Sequence, residues 1–305
     1  RFLHISKSES KIRTDGGFRY ITTESLIFPR FHQLDAVRKL VAHSKEHGAG
    51  KNYLIQHSAG SGKSNTIAWL AHHLSSLHNA DDEKIFNSVI IVTDRVVLDR
   101  QLQETVAQFQ QTDGVVQKID ENTHQLAAAL AANVPIIITT IQKFPYVMNS
   151  IQTRAKQGVH IELDTADKRF AVIVDEAHSS QSGENAMELK GVLNAHRIEE
   201  EAAQYVAEHG LDADEDEADP LAGVVREMRK RGKQSNLSFF AFTATPKFKT
   251  KKVFDEPGPN GQSPFHLYTM RQAIEEKFIL DVLKHYITYE AYFRLVQVGD
   301  DDPHV

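Results

Sequence analysis

The sequence predicts an α/β fold, a doubly wound and mostly parallel sheet. Three observations carry that expectation: short apolar runs that do not alternate with polar residues, amphipathic segments between them, and a glycine-rich loop leading from one run into the next helix. The runs are "YLI" at 53–55, "VIIV" at 89–92, "PIII" at 135–138, "AVIV" at 171–174 and "LSFFAF" at 237–242. Each is too short for a buried helix, and most are β-branched or aromatic. Such continuous runs are expected of parallel strands covered on both faces. Segments such as "RVVLDRQLQETVAQF" carry helical periodicity between them, and strand–helix alternation implies right-handed crossovers.

Taken in order, residues 1–30 are mixed and polar without strong periodicity, and 1–27 read as a linker. From Phe31 the pattern becomes regular: Leu34, Val37, Leu40 and Val41 share a helical face, and "HGAG" ends that helix. The strands and helices above follow. Residues 199–219 are acidic and "REMRKRGK" at 226–233 is basic, so about 196–234 read as a charged surface insertion. A sharper alternative makes Arg226, Arg229, Lys230 and Arg231 a nucleic-acid-facing patch. The turn-rich "DEPGPNGQSP" at 255–264 closes a domain spanning 28–265, and 266–305 read as a helix and strand leading onward.

Composition narrows the classes. A chain of 305 residues with 41% hydrophobic residues can bury a real core. The net charge of -6 confines any nucleic-acid surface to a local patch. The lack of cysteine excludes disulfides, thiolate metal sites and cysteine nucleophiles. No run approaches the ~18 apolar residues of a membrane span, so no membrane partner is expected. The start "RFLHISKS" has neither an initiator Met nor a signal-peptide pattern, and the chain reads as a piece of a longer protein.

Two motifs carry chemistry. In Gly60-Ser61-Gly62-Lys63-Ser64 the glycines let backbone N–H groups wrap a phosphate chain at a helix N-terminus. Lys63 reaches the β- and γ-phosphates, and the Ser64 hydroxyl ligates Mg²⁺. The loop departs from the full phosphate-loop pattern at its first position, where His57 replaces Gly. The second motif, "AVIVDEAH" at 171–178, delivers Asp175 and Glu176 at a strand end. Asp175 holds Mg²⁺ through water, and Glu176 polarises the attacking water. Lys63 and Glu176 are the candidate catalytic residues, with ATP and Mg²⁺ as cofactors. His178 completes a tetrad that points to a helicase-type motor.

With "FTATP" at 242–246, these motifs resemble superfamily 2 helicases and translocases of the DEAH-box kind, whose motor domain is RecA-like. The resemblance implies that Thr243 and Thr245 couple the ATP site to the nucleic-acid track. It implies that Gln33, in "FPRFHQLDAV", reads adenine with Arg30 nearby. It places phosphate contacts to one DNA strand at Thr93, Arg95, Thr139 and Thr140. The segments "FHQLDAV", "QHSAGSGKS", "VTDRVVLDRQL", "TTIQKF", "DEAHSSQSGE", "LSFFAFTATPK" and "FILDVLKHYITY" together look like the motor subunit of type I restriction enzymes, over nearly all of residues 28–290.

That family implies a preceding nuclease domain, a following second motor domain, double-stranded DNA as track, methyltransferase and specificity subunits as partners, and a bacterial or archaeal cytoplasm. It also implies that this chain alone binds Mg²⁺–ATP with little turnover, because the facing arginine lies in the second motor domain. Other readings are a helicase or remodelling motor acting on RNA or chromatin, a nucleotide-binding regulatory module without turnover, and a small-molecule kinase. Glu176 speaks against the module, and a kinase gives no role to "DEAH" or "TAT".

Overall fold

The computed structural model describes residues 4–14, 17–93, 96–109, 114–119, 123–140, 143, 168–175, 193, 235–246, 250–251, 254, 256–261, 263–281 and 284. Strands β1 (His4–Thr14) and β2 (Gly17–Ile27) pair antiparallel as a separate two-stranded hairpin. Helix α1 (Phe31–His47) and strand β3 (Asn52–His57) follow, then α2 (Lys63–Ser75), β4 (Ser88–Thr93) and α3 (Val96–Gln108). Next come β5 (Val116–Lys118), α4 (Thr123–Ala131) and β6 (Ile136–Thr140). The last elements are β7 (Phe170–Asp175), β8 (Leu237–Thr243), β9 (His266–Tyr268) and α5 (Met270–Glu275).

Seven strands form one sheet in the order β5-β6-β4-β7-β8-β3-β9, and every pairing in it is parallel. The five apolar runs are its five central strands. Their side chains divide by alternation between two cores, as a strand's period of two requires. Val89, Ile91, Ile136, Ile138, Ala171, Ile173, Phe240 and Phe242 pack on one face with Val37 and Leu40 of α1, Ile67 and Leu70 of α2, and Leu102 and Val106 of α3. Ile90, Val92, Ile137, Phe170, Val172 and Phe239 pack on the other with Leu126 and Leu130 of α4. Both faces are therefore dry, which is why the runs show no polar alternation.

Three elements depart from the sequence expectation. Residues 4–27, read as a linker, hold the hairpin; its strands mix polar with scattered apolar residues, so no sustained hydrophobic period marks them. Beyond the expected boundary at 265, β9 adds an edge strand beside β3. Its three residues are too few for periodicity to register. In α1 the buried face is His32, Gln33, Ala36, Val37, Leu40 and Ser44, so it begins with two polar side chains whose partners lie in the glycine loop. The charged insertion and the strand expected after residue 285 lie outside the described residues.

Candidate nucleotide site

Because the sheet is wholly parallel, the strand C-terminal ends lie along one edge, where open α/β sheets bind ligands. That edge carries His57 of β3, Thr243 of β8, Asp175 of β7, Thr93 of β4 and Thr140 of β6. The register levels three of these ends, with Gln56 opposite Thr243 and Asp175 opposite Phe242. One strand, β8, separates Asp175 from the glycine loop, so two strand spacings set them roughly 10 Å apart. Ser64 and Asp175 are the residues that would hold a magnesium ion at this edge. Among the described residues no group of three or more His, Asp or Glu side chains gathers around a metal.

The loop fits a phosphate chain. After His57 the chain runs through Ser58–Gly62 and enters α2 at Lys63. Gly60 and Gly62 sit at φ +73° and +76°, the left-handed region that a Cβ disfavours. Gly62 has a second constraint: a Cβ there would lie 2.7 Å from the Gln33 amide nitrogen. The first turn of α2 then offers the N–H groups that a helix cannot pair internally. Lys63 and Ser64, its first two residues, are half-buried. The hydroxyls of Ser58 and Ser61 are buried with no hydrogen-bond partner among the described residues, so the loop's polar groups are incompletely satisfied.

Helix α1 holds this loop from behind. His32 Nε2 donates to the Ser61 carbonyl at 3.0 Å, and Gln33 Nε2 donates to the Gly62 carbonyl at 3.0 Å. The other end of the Gln33 amide accepts from the Arg30 N–H at 2.9 Å. Two consecutive loop carbonyls are thus fixed by two consecutive side chains. The His32 ring stacks on Tyr268 with centroids 3.7 Å apart and planes 7° apart. The Tyr268 hydroxyl donates to Glu276 at 2.7 Å; burial and that carboxylate push its pKa up to about 12. The Arg30 guanidinium lies 3.8 Å from the centre of the Phe278 ring.

A second contact set begins at His57, fully buried at the loop's first position. It bonds His266 of β9 at 2.8 Å, His266 bonds Asp35 of α1 at 3.0 Å, and Asp35 accepts from Lys39 at 2.7 Å. Burial lowers the pKa of His57 well below 6.5, and the nearby His266, His32 and Lys63 push the same way. Burial also lowers His266, against the opposing pull of Asp35. Burial raises Asp35, but hydrogen bonds from Lys39 and His266 outweigh it and the carboxyl falls below its ordinary range. Burial lowers His32 as well.

These shifts share one sign for stability. The three histidines bind protons less readily when folded than when unfolded, so stability is lost as pH falls through and below 6.5. Asp35 adds a loss at lower pH, as pH falls from its ordinary 3.8. Each proton bound only by the unfolded chain removes up to about 1.4 kcal/mol per pH unit. The urea midpoint is therefore expected to be lower at pH 5.5 than at pH 7.5, and equal midpoints would contradict the burial of these rings.

Of the residues expected from the sequence, Gln33, Arg30, Gly60, Ser61, Gly62, Lys63 and Ser64 come together, and Asp175 and Thr243 share their edge of the sheet. Thr245 is exposed two residues beyond β8. Thr93, Thr139 and Thr140 are buried, with Thr139 wholly closed to solvent. Glu176, His178 and Arg95 lie outside the described residues. Sequence reasoning missed His32, Asp35, His266, Tyr268 and Phe278. The one signal available was His57, whose bulk in a glycine's position asks for a specific partner.

A family model described as SWI2/SNF2 ATPase matches residues 32–206, more than half of the chain. No curated protein sequence matches it. Similar solved structures include a fragment described as an HsdR subunit of a type I restriction enzyme from Vibrio vulnificus. It is 14% identical, with 81% of this chain and 31% of that chain covered and a TM-score of 0.43. Another is a nuclease-deletion mutant of the Type ISP restriction-modification enzyme LlaGI in complex with a DNA substrate mimic. It is 14% identical over 91% of this chain and 23% of that one, TM-score 0.43. A third is the UvsW helicase from bacteriophage T4, 12% identical over 75% and 57%, TM-score 0.37. The chain spans less than a third of the length of the first two. Among the described residues no helix is long and apolar enough to cross a membrane.

Proposed function

Since the chain belongs to the SWI2/SNF2 ATPase family, we propose that it is the first motor domain of a type I restriction-enzyme subunit, using ATP to move along double-stranded DNA. The observation that carries the ATP reading is the cradle itself: Gly60 and Gly62 in left-handed conformations, α2 beginning at Lys63, and Asp175 on the same sheet edge. The seven matching segments, several of them specific to that family, support the restriction reading.

Within this reading Lys63 neutralises the terminal phosphates, and Ser64 and Asp175 hold Mg²⁺. Glu176, the next residue, takes the proton of the attacking water. Bound Mg²⁺–ATP supplies the phosphoryl group that is transferred. Gln33 reads the base by exchanging one of its two backbone bonds for adenine, and Arg30 borders the same pocket. In this reading Thr243, on the strand between β3 and β7, couples the site to Thr245 and the DNA track. With Thr93, Thr139 and Thr140 buried, Arg95 is the remaining candidate for contact with the DNA phosphates. Methyltransferase and specificity subunits are the proposed partners, and the cytoplasm of a bacterium or archaeon the proposed location.

The test measures phosphate release from Mg²⁺–ATP by this chain, alone and joined to a second motor domain, with long duplex DNA or single-stranded RNA. The two-domain protein is expected to turn over and to be stimulated by duplex DNA. The chain alone is expected near background, because the facing arginine is worth about 10³–10⁵ in rate where measured. Stimulation by RNA in preference to DNA would replace the restriction reading with an RNA motor. Full turnover by the chain alone would refute the split site.

A further inference from the structure

We propose that Asp35 and His266 are positioning residues of the nucleotide site, acting through His57 so that binding of phosphate groups draws a proton onto the Asp35–His266–His57 relay. This rests on the nucleotide reading of the loop. It accounts for the residue that departs from the loop's usual pattern.

The hydrogen bonds fix the protons. Asp35 is ionised and can only accept, so His266 Nε2 carries the hydrogen across their 3.0 Å contact. Neutral His266 then has a lone pair on Nδ1, which accepts from His57 Nε2–H at 2.8 Å. Neutral His57 is left with a lone pair on Nδ1, which is buried and has no partner among the described residues. The relay therefore ends in an unused acceptor at the first residue of the phosphate loop.

One proton can be added without breaking any of these bonds. Placed on His57 Nδ1, it lets the shared hydrogen pass from His57 Nε2 to His266 Nδ1. The positive charge then rests on His266 against Asp35, and His57 Nδ1 becomes a donor. In the nucleotide-free chain several groups oppose this. Burial disfavours the charge, as do Lys63 of α2 and His32 and Lys39 of α1; the rings of Phe242 and Tyr268 that flank His57 offer no counter-charge. Phosphates bound in the loop add negative charge beside the relay and engage Lys63. Both changes favour the protonated state, so binding tightens as pH falls into the range below 6.5 where the free relay stays neutral.

The experiment is calorimetric titration of the whole chain with Mg²⁺–ADP, which does not turn over. It is run at pH 6.0 in two buffers of different ionisation enthalpy, and at pH 8.0. The wild-type chain is expected to take up a fraction of a proton and to bind about three- to tenfold more tightly at pH 6.0 than at pH 8.0. Asn at position 35 still accepts a hydrogen bond but carries no charge, so Asp35→Asn should cut proton uptake and flatten the pH dependence to within about twofold. His266→Gln, which interrupts the relay, should do the same and serves if the first variant fails to fold by circular dichroism. A purely structural role would weaken binding equally at both pH values. Wild-type binding without proton uptake, or uptake unchanged in both variants, would overturn the relay alone. No binding of Mg²⁺–ADP by the wild-type chain would overturn the nucleotide reading and the relay with it.

Discussion

Replacing Lys63 by Ala is expected to remove nucleotide binding while leaving the fold intact. Lys63 opens α2, and the residues that anchor the helix to the core come later, at Thr66, Ile67, Ala68, Trp69 and Leu70. The substitution therefore costs little packing. What it removes is a point charge at the phosphates, in a loop whose carbonyls are already fixed by His32 and Gln33. Losing one partner of a close, desolvated charge pair costs about 2–5 kcal/mol, a weakening of roughly thirtyfold to several thousandfold. Titration with a fluorescent ATP analogue reads it directly, and thermal unfolding of the ligand-free variant confirms the fold. Unchanged affinity would sink the phosphate-loop assignment. Arg at this position is not a conservative substitute, because its planar fork differs from the compact point charge of an ammonium.

Glu176→Gln separates binding from chemistry. Glu176 directly follows Asp175, the last residue of β7, at the edge where the loop lies. Gln keeps the size and can still hydrogen bond, but it cannot accept a proton from water. Removal of a positioned general base costs about 10²–10⁴ in rate. In the two-domain protein, DNA-stimulated phosphate release is expected to fall by that factor while affinity for the ATP analogue holds. Near-normal turnover would move the base to another residue. Asp175→Asn tests the neighbouring role: it is expected to weaken Mg²⁺-dependent binding, an effect Glu176→Gln lacks.

The sheet was legible because five of its seven strands are buried on both faces. A run such as "VIIV", short, β-branched and without polar alternation, fits a strand covered on both faces. The glycine loop was legible because phosphate wrapping demands residues few other loops need. What the sequence did not show were pairings between distant side chains. His57, His266 and Asp35 are each ordinary in a chain with 16 histidines; only the juxtaposition of β3, β9 and α1 makes them a chain of bonds. Gln33 was found by resemblance, but its hold on the Gly62 carbonyl was not, because the link spans 29 residues and leaves no local pattern. Thr93, Thr139 and Thr140, expected from the resemblance to touch DNA, are buried.

The strand order also has a consequence for synthesis. β3 leaves the ribosome early, yet its two sheet neighbours are β8, where Asn52 meets Phe239, and β9, where Ile55 meets His266. At about 5–20 residues per second, roughly 10–40 s separate β3 from the strands that flank it. Through that interval "NYLI" has neither neighbour and the glycine loop lacks the backing of His266 and Tyr268. The nascent chain thus carries the strand before its glycine loop as an open, apolar edge, a template for mispairing with other chains. Molecular chaperones that cover apolar strands are the protection such a sequence order calls for.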